Sequence, residues 1–227
     1  RRRYQPIEVI SADAVERIHQ TALAILREIG LKVLDAGARQ RYRQAGASVD
    51  AVGERVRFEP ELVMQLVSQA PPQFTLRARN LEKSLEIGGD KVVFTSVGGP
   101  AFAMDRDRGR RPGSYADQCD YLKLIQSLDI LHQEGGGPLE AMDLDPATRH
   151  LDLTYAEITL LDKSWQPQTL WKERALDAID MAAISIGVGR DDMRSIPMLA
   201  GVINTNSPLK LDGPMAMGII ELARHGQ

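Results

Sequence analysis

Cysteine is almost absent: Cys119 is the only one in 227 residues. A single thiol excludes an intramolecular disulfide and any thiolate-cluster metal site. Histidine is scarce too. His19, His132, His150 and His225 are dispersed, without an H-x-x-x-H or H-E-x-x-H pair, so no metal site is expected. No run of about 18 apolar residues occurs, so no bilayer-spanning segment and no membrane partner are expected. Positive charge is not in excess. The formal net charge is -3, which leaves no global basic surface for nucleic acid. The opening "RRRYQPIEVI" is basic, but no helix-length apolar region with a small-residue cleavage site comes after it. Without any of these signals, a cytoplasmic protein is the default.

What is present is ordinary globular material, 43% hydrophobic and 26% charged, ample for a core. The first part reads as helical. "SADAVERIHQTALAILREIG" sets Val15, Ile18, Ala22, Ile25, Leu26 and Ile29 at three-and-four spacing, with Ser11 as N-cap and Gly30 as stop. A short helix over about 36–45 comes next, and then one opened by Pro60 and ended by Pro71-Pro72. "ERVRF" reads as a short strand, and "FTLRARN" with "KSLEIGG" as a small hairpin. A mainly helical region over 1–90 is expected.

From Lys91 the pattern changes. "KVVFTSVGG", "DILHQEGG", "PQTLWK" and "SIPMLAGVIN" read as strands. Each precedes a helical pattern, the first opened by Ser114 with Cys119, Leu122, Ile125 and Leu128 on one face, the second capped by Asp145. Four strand–helix units over 91–227 argue for an α/β fold with a parallel sheet. A doubly wound open sheet and half of a (β/α)8 TIM-type barrel both fit. The absence of G-x-G-x-x-G and of a Walker lysine leans toward the first half of the barrel. "MAMGIIELARHGQ" is still periodic where the sequence stops, so a truncated chain is expected. Half a barrel would leave open apolar edges, so self-association into a homo-oligomer is expected.

In either architecture function sits at the C-terminal ends of the strands. Those ends carry Thr95 to Gly99, His132 to Gly135, Trp171 to Glu173, and the polar burst Asn204 to Ser207. Amides, hydroxyls and bare glycine backbone suit a small polar or cationic ligand. The plainer readings are that Asn204 and Asn206 cap a loop, that Trp171 packs in the core, and that Glu134 is a solvated turn residue. "DRDRGRRPG" reads as a solvated mixed-charge loop, or as a docking surface for an acidic partner.

Several segments taken together carry a resemblance. "APPQFTLRARN", "LEIGGDKVVFTSVGGPAFAMDRDRGRRPGSYADQCDYLKLIQSLDIL", "RHLDLTYAEITLLDKSWQP" and "NTNSPLKLDG" resemble, in order and spacing, the trimethylamine methyltransferase family. The resemblance implies a (β/α)8 barrel behind a helical N-terminal region, in a protein about twice this long. It implies transfer of a methyl group from trimethylamine or a quaternary amine such as glycine betaine to the cobalt of a corrinoid. The cobalamin would be carried by a separate corrinoid protein, with no cofactor bound directly. Archaeal trimethylamine enzymes carry pyrrolysine in the other half, and many bacterial relatives lack it. No catalytic residue of this half transfers from a family motif. For such a substrate the rim offers Trp171 and Glu134 for the cation, with Asn204, Asn206 and His132 for polar contacts. A binding barrel without turnover, and a different barrel enzyme acting on a phosphorylated metabolite, are the competing readings.

Overall fold

A computed structural model of the chain describes residues 7–50 and 52–227. The chain gathers into two compact units: residues up to Pro72 with Asn204–Met217, and Gln73–Ile203 with Gly218–Gln227. The division differs from the expected one at residue 90. The hairpin after Pro72 groups with the strand–helix region, and the "NTNSPLKLDG" segment groups with the N-terminal helices.

The first unit holds helices α1 (Ala12–Glu28), α2 (Ala36–Gln44) and α3 (Pro60–Val67). Their starts obey local chemistry. Ser11 accepts the Ala14 N–H, Asp35 accepts the Ala38 N–H, and Pro60 occupies the first turn of α3. Strands β1 (Leu31–Val33), β2 (Ser48–Val49), β3 (Arg55–Arg57) and β8 (Lys210–Leu211) form one sheet in the order β2-β3-β1-β8. β1 runs antiparallel to β3, pairing Leu31 with Val56, and parallel to β8, pairing Lys32 with Lys210. Val33 and Val56 are fully buried, and Tyr42 meets Phe58 edge-on at 5.1 Å. The predicted apolar face of α1 is only partly used: Ile25 and Leu26 are half-buried, Val15, Ile18, Ala22 and Ile29 stay exposed, and the buried residue is Leu23, outside that face.

The second unit begins with the expected hairpin, β4 (Gln73–Leu76) against β5 (Leu85–Gly88). A second antiparallel hairpin, β6 (Phe102–Asp105) with β7 (Gly109–Pro112), stands where sequence reading placed a loop. Its turn has a local cause. Asp105 Oδ1 accepts the N–H groups of Asp107 at 3.1 Å and Arg108 at 2.7 Å, and Gly109 takes φ +66°. Helices α4 (Tyr115–Ser127), α5 (Arg149–Leu160) and α6 (Lys172–Ser185) come next, then α7 (Gly213–Arg224), whose residues count with this unit from Gly218 on; all four follow the apolar periodicity. Ser114 and Asp117 close a reciprocal cap on α4. Asp145 instead opens a turn ahead of α5, accepting the Ala147 N–H at 2.9 Å. Leu122, Ile125, Leu161, Trp165, Ile179, Met193 and Met198 form the core of this unit.

Among the described residues, the extended segments between these helices touch at single positions. Thr95 pairs in parallel with Gln133, and Gln133 in parallel with Ser164. The runs Gly98-Gly99-Pro100 and Gly135 to Pro138, with Pro167, come directly after, and proline lacks the N–H a ladder needs. The third pairing position is thus Ser164, seven residues ahead of the Trp171 that "PQTLWK" placed at a strand end. Residues 196–203 carry no strand pairing. No helix among the described residues is long and apolar enough to cross a membrane.

Polar side chains fasten α4 to the third segment. Lys163 Nζ donates to the carbonyls of Ile125 in the last turn of α4 and of Leu128 and Leu131 just beyond it, each at 2.8 Å. Next to it Asp162 accepts from Lys83 at 2.6 Å, Gln126 at 2.6 Å and Asn80 at 3.3 Å. Burial alone would raise the Asp162 carboxyl; these three donors outweigh it and take it down to about 2. A depressed acid contributes stability that is complete above its ordinary value and lost as pH falls toward the folded value. Asp162→Asn is therefore expected to lower the melting temperature at pH 7, with a deficit that shrinks below pH 4 and vanishes near pH 2. A deficit unchanged across that window in thermal denaturation would exclude the ionic contribution.

Candidate functional site

The place where the three segments meet is built from backbone at close range. A Cβ on Gly98 would fall 2.4 Å from the Gly135 carbonyl, and one on Gly135 would fall 2.0 Å from the Ser96 carbonyl. Only glycine permits that approach. Ser96 Oγ then accepts the Gly135 N–H at 3.0 Å, and the Gly99 N–H reaches the Gly137 carbonyl at 2.8 Å. The contact turns Glu134 inward. Its carboxyl is 0% exposed and accepts the Gly137 N–H at 2.7 Å and the Gln166 N–H at 3.3 Å. Around it, Gln133 bonds Ser164 Oγ at 3.1 Å and receives the Gln166 amide at 3.4 Å.

Glu134 has no cationic partner among the described ion pairs. Burial pushes its carboxyl up to about 7, with the amides of Gly136, Gln166, Gly137 and Gly135 offsetting part of that. A second carboxyl deepens the deficit. Glu157 on α5 is 2% exposed, and its Oε2 is buried with no hydrogen-bond partner among the described residues. Burial, and then the neighbouring Glu134 charge, hold Glu157 well above the carboxylate range. Two buried acids without a fixed counter-charge are relieved chemically by protonation or by a cation.

The structure distributes the other residues singled out from sequence among different surroundings. His132 lies on the same segment as Glu134. Its Nδ1 accepts the Phe94 N–H at 3.0 Å, and its ring tilts over Phe94 at 5.9 Å. It lines a separate cavity of about 300 Å³ with Lys83, Asp129 and Lys163. Trp171 precedes α6 with φ +74°, a left-handed backbone for a bulky residue, and is 47% exposed. Such an outlier costs about 1–3 kcal/mol and persists where the surroundings impose it. Asn204 and Asn206 belong to the first unit. Asn206 is engaged in its own turn: its backbone pairs with Lys210, and its side chain donates to Asp212 Oδ2 at 2.8 Å. Asn204 is exposed. Gln133, Glu157 and Gln166 were not singled out from sequence. The "KSWQPQ" stretch after an apolar helix was the available signal, with polar residues alternating around the buried Trp165.

The trimethylamine methyltransferase family model matches residues 1–227. The chain belongs to that family. A glycine betaine methyltransferase of Desulfitobacterium hafniense strain Y51 is 35% identical over 219 residues, which is 96% of this chain and 45% of that protein. A trimethylamine methyltransferase MttB of D. hafniense strain DCB-2 is 23% identical over 219 residues, 95% of this chain and 43% of its own length. A proline betaine:corrinoid methyltransferase of Eubacterium limosum is 26% identical over 138 residues, 60% of this chain and 27% of that protein. The chain thus spans about half the length of the curated methyltransferases it matches.

In this member of the trimethylamine methyltransferase family the acidic pair makes stability depend on pH. The ordinary value for a glutamate is 4.5, and Glu134 sits at about 7 in the folded chain. Between those values the unfolded chain gives up its proton first, so the fold loses stability as pH rises and bears the whole penalty above 7. The shift corresponds to roughly 3 kcal/mol. Glu134→Gln is expected to flatten the melting temperature between pH 5 and pH 7, and Glu157→Gln to flatten it from about pH 5 upward. Parallel profiles for wild type and both variants would show that neither carboxyl titrates anomalously.

Proposed function

We propose that the complete protein moves a methyl group from a quaternary or fully methylated amine to the cobalt of a corrinoid held by a partner protein. On this reading residues 91–227 form the first half of a (β/α)8 barrel. The parallel pairing Thr95–Gln133–Ser164, in chain order, supports that architecture. The carrying observation is the uncompensated Glu134 carboxyl, set among backbone amides in a chain 35% identical to a glycine betaine methyltransferase.

The chemistry asks little of the protein in proton transfer. The corrinoid cobalt supplies the nucleophile, the bond broken is carbon–nitrogen, and the amine leaves neutral. Positioning and exclusion of water remain for this chain. A quaternary ammonium cannot donate a hydrogen bond, so it is held by charge and by aromatic faces. Glu134 offers the charge, and Trp171, 47% exposed just ahead of α6, is the aromatic candidate. A bound cation favours the ionised form of Glu134 and returns its pKa toward the ordinary range.

Two measurements on the complete protein test this. With free reduced cobalamin and a panel of methylated amines, methylcobalamin is expected to form with at least one quaternary amine and not with primary amines. No methylcobalamin, despite tight amine binding, would indicate a binding barrel without turnover. Calorimetric titration of that amine near pH 6.5, in buffers of differing ionisation enthalpy, is expected to show net proton release. Glu134→Gln should abolish the release and weaken binding about tenfold or more. Binding without proton release in the wild type would remove Glu134 from the site. Trp171→Ala is expected to raise KM more than it lowers kcat.

A further inference from the structure

We infer that the outward face of the β6–β7 hairpin is the docking surface for an acidic patch on the corrinoid-carrying partner. This rests on the methyl-transfer reading only for the identity of that partner; the surface itself is argued from the hairpin's own geometry.

The register divides the hairpin into two faces. Ala103 pairs with Arg111, and Asp105 with Gly109, on the inner side. Ala103 is buried, and the Arg111 guanidinium bridges Asp105 and the Asp117 carboxylate at the start of α4. Asp117 is itself held below the ordinary range by the Ser114 hydroxyl and then by Arg111, despite partial burial. The inner face is therefore fixed to a capped helix. The outer face pairs Phe102 with Pro112 and Met104 with Arg110. Met104 is 73% exposed and Phe102 is 46% exposed, and the Arg110 guanidinium lies 3.6 Å from the Phe102 ring centroid. Arg106 flanks them at the turn, exposed, while the exposed Arg108 pairs with Asp105 at 2.8 Å and Asp117 at 3.6 Å.

Aromatic, methionine and arginine side chains on a rigid support are the composition of an interface centre. Charge selects the occupant. Phe102–Pro112 carries four arginines against two aspartates, a net +2, on a chain whose formal net charge is -3. Two such faces would repel one another, so a second copy of this chain is disfavoured and an acidic partner favoured. Placement selects the same partner. The base of the hairpin is stitched to the loop that leaves Glu134: the Glu140 N–H donates to the Pro100 carbonyl at 2.9 Å and the Met142 N–H to the Gly113 carbonyl at 2.8 Å. This face is thus fixed to the loop that continues the Glu134 segment, the segment toward which the methyl acceptor has to come on the proposed reading.

The test uses the complete protein with two acceptors, the organism's own corrinoid protein and free reduced cobalamin. The double variant Arg106→Glu/Arg110→Glu reverses the charge, and Met104→Glu alters the face while leaving Arg111 and Asp117 intact. Both are expected to bind the corrinoid protein at least tenfold more weakly in calorimetry, to raise its KM accordingly, and to lose much of the salt dependence of binding. Turnover with free cobalamin should stay at the wild-type level. Wild-type binding by both variants at low ionic strength would overturn the docking surface, as would a wild type that does not bind the corrinoid protein. Loss of free-cobalamin turnover in both variants would place this face in the fold and overturn it too. If the wild type binds in a salt- and variant-sensitive way but methylates neither acceptor, the catalytic reading fails and the docking surface stands.

Discussion

Three stretches of backbone come together at Thr95, Gln133 and Ser164, and the glycines beside them let the chains approach to distances a side chain would forbid. A methyl group on Gly135 would sit 2.0 Å from the Ser96 carbonyl, so the contact exists only because nothing is there. Its consequence is the orientation of Glu134. With Gly135 pressed against Ser96 and the Gly137 amide turned back, the carboxyl is buried and takes its hydrogen bonds from the main chain. Main-chain donors cannot be protonated or swung away, so they fix the acid's position but cannot cancel its charge.

The same unit shows how differently a carboxyl behaves when a cation is provided. Asp162, with Lys83 at 2.6 Å, drops to about 2, and Asp117 is held down by Ser114 and Arg111. Lys163, equally enclosed, spends its three donors on main-chain carbonyls and neutralises no acid directly. Glu134 and Glu157 are left with each other. Replacing such a pair by apolar residues would relieve a desolvation penalty of several kcal/mol. On the proposed reading its presence is accounted for by a ligand that brings the missing positive charge, and a quaternary ammonium would do so without demanding a proton.

Much of this was legible where the signal is local. Ser11, Ser114 and Pro60 mark helix starts because capping is a two- to four-residue event, and the hairpin of β4 with β5 comes from two short strand-like runs. Glu134 was legible as a candidate because the order of strand and helix patterns put it before a glycine run. Its burial was not, since the enclosing groups come from residues 96 and 166. The β6–β7 hairpin was read as a loop because four arginines and two aspartates mask the D-x-x-x-G turn between its strands. Asn206 looked like a ligand-facing amide, yet in the structure it bonds Asp212 and closes the turn into β8. Small polar residues serve caps and ligands equally well, and only the partner atom tells them apart.

The proposed reaction gives that arrangement its economy. A displacement at carbon with a neutral leaving amine needs no general base, so an active site for it can do without histidine dyads, metal ligands or a reactive thiol. What it needs is a negative centre that is strong toward a cation and weak toward water. An exposed aspartate would bind the ammonium but remain solvated, and water would screen much of the attraction. A buried glutamate at about 7 is instead poised between neutral and charged. Empty, it relieves its own desolvation by holding a proton; occupied, it ionises against the substrate. On this reading the cost of burying Glu134 is what makes its affinity depend on a permanently charged methylated amine rather than on any small cation able to hydrogen-bond to water.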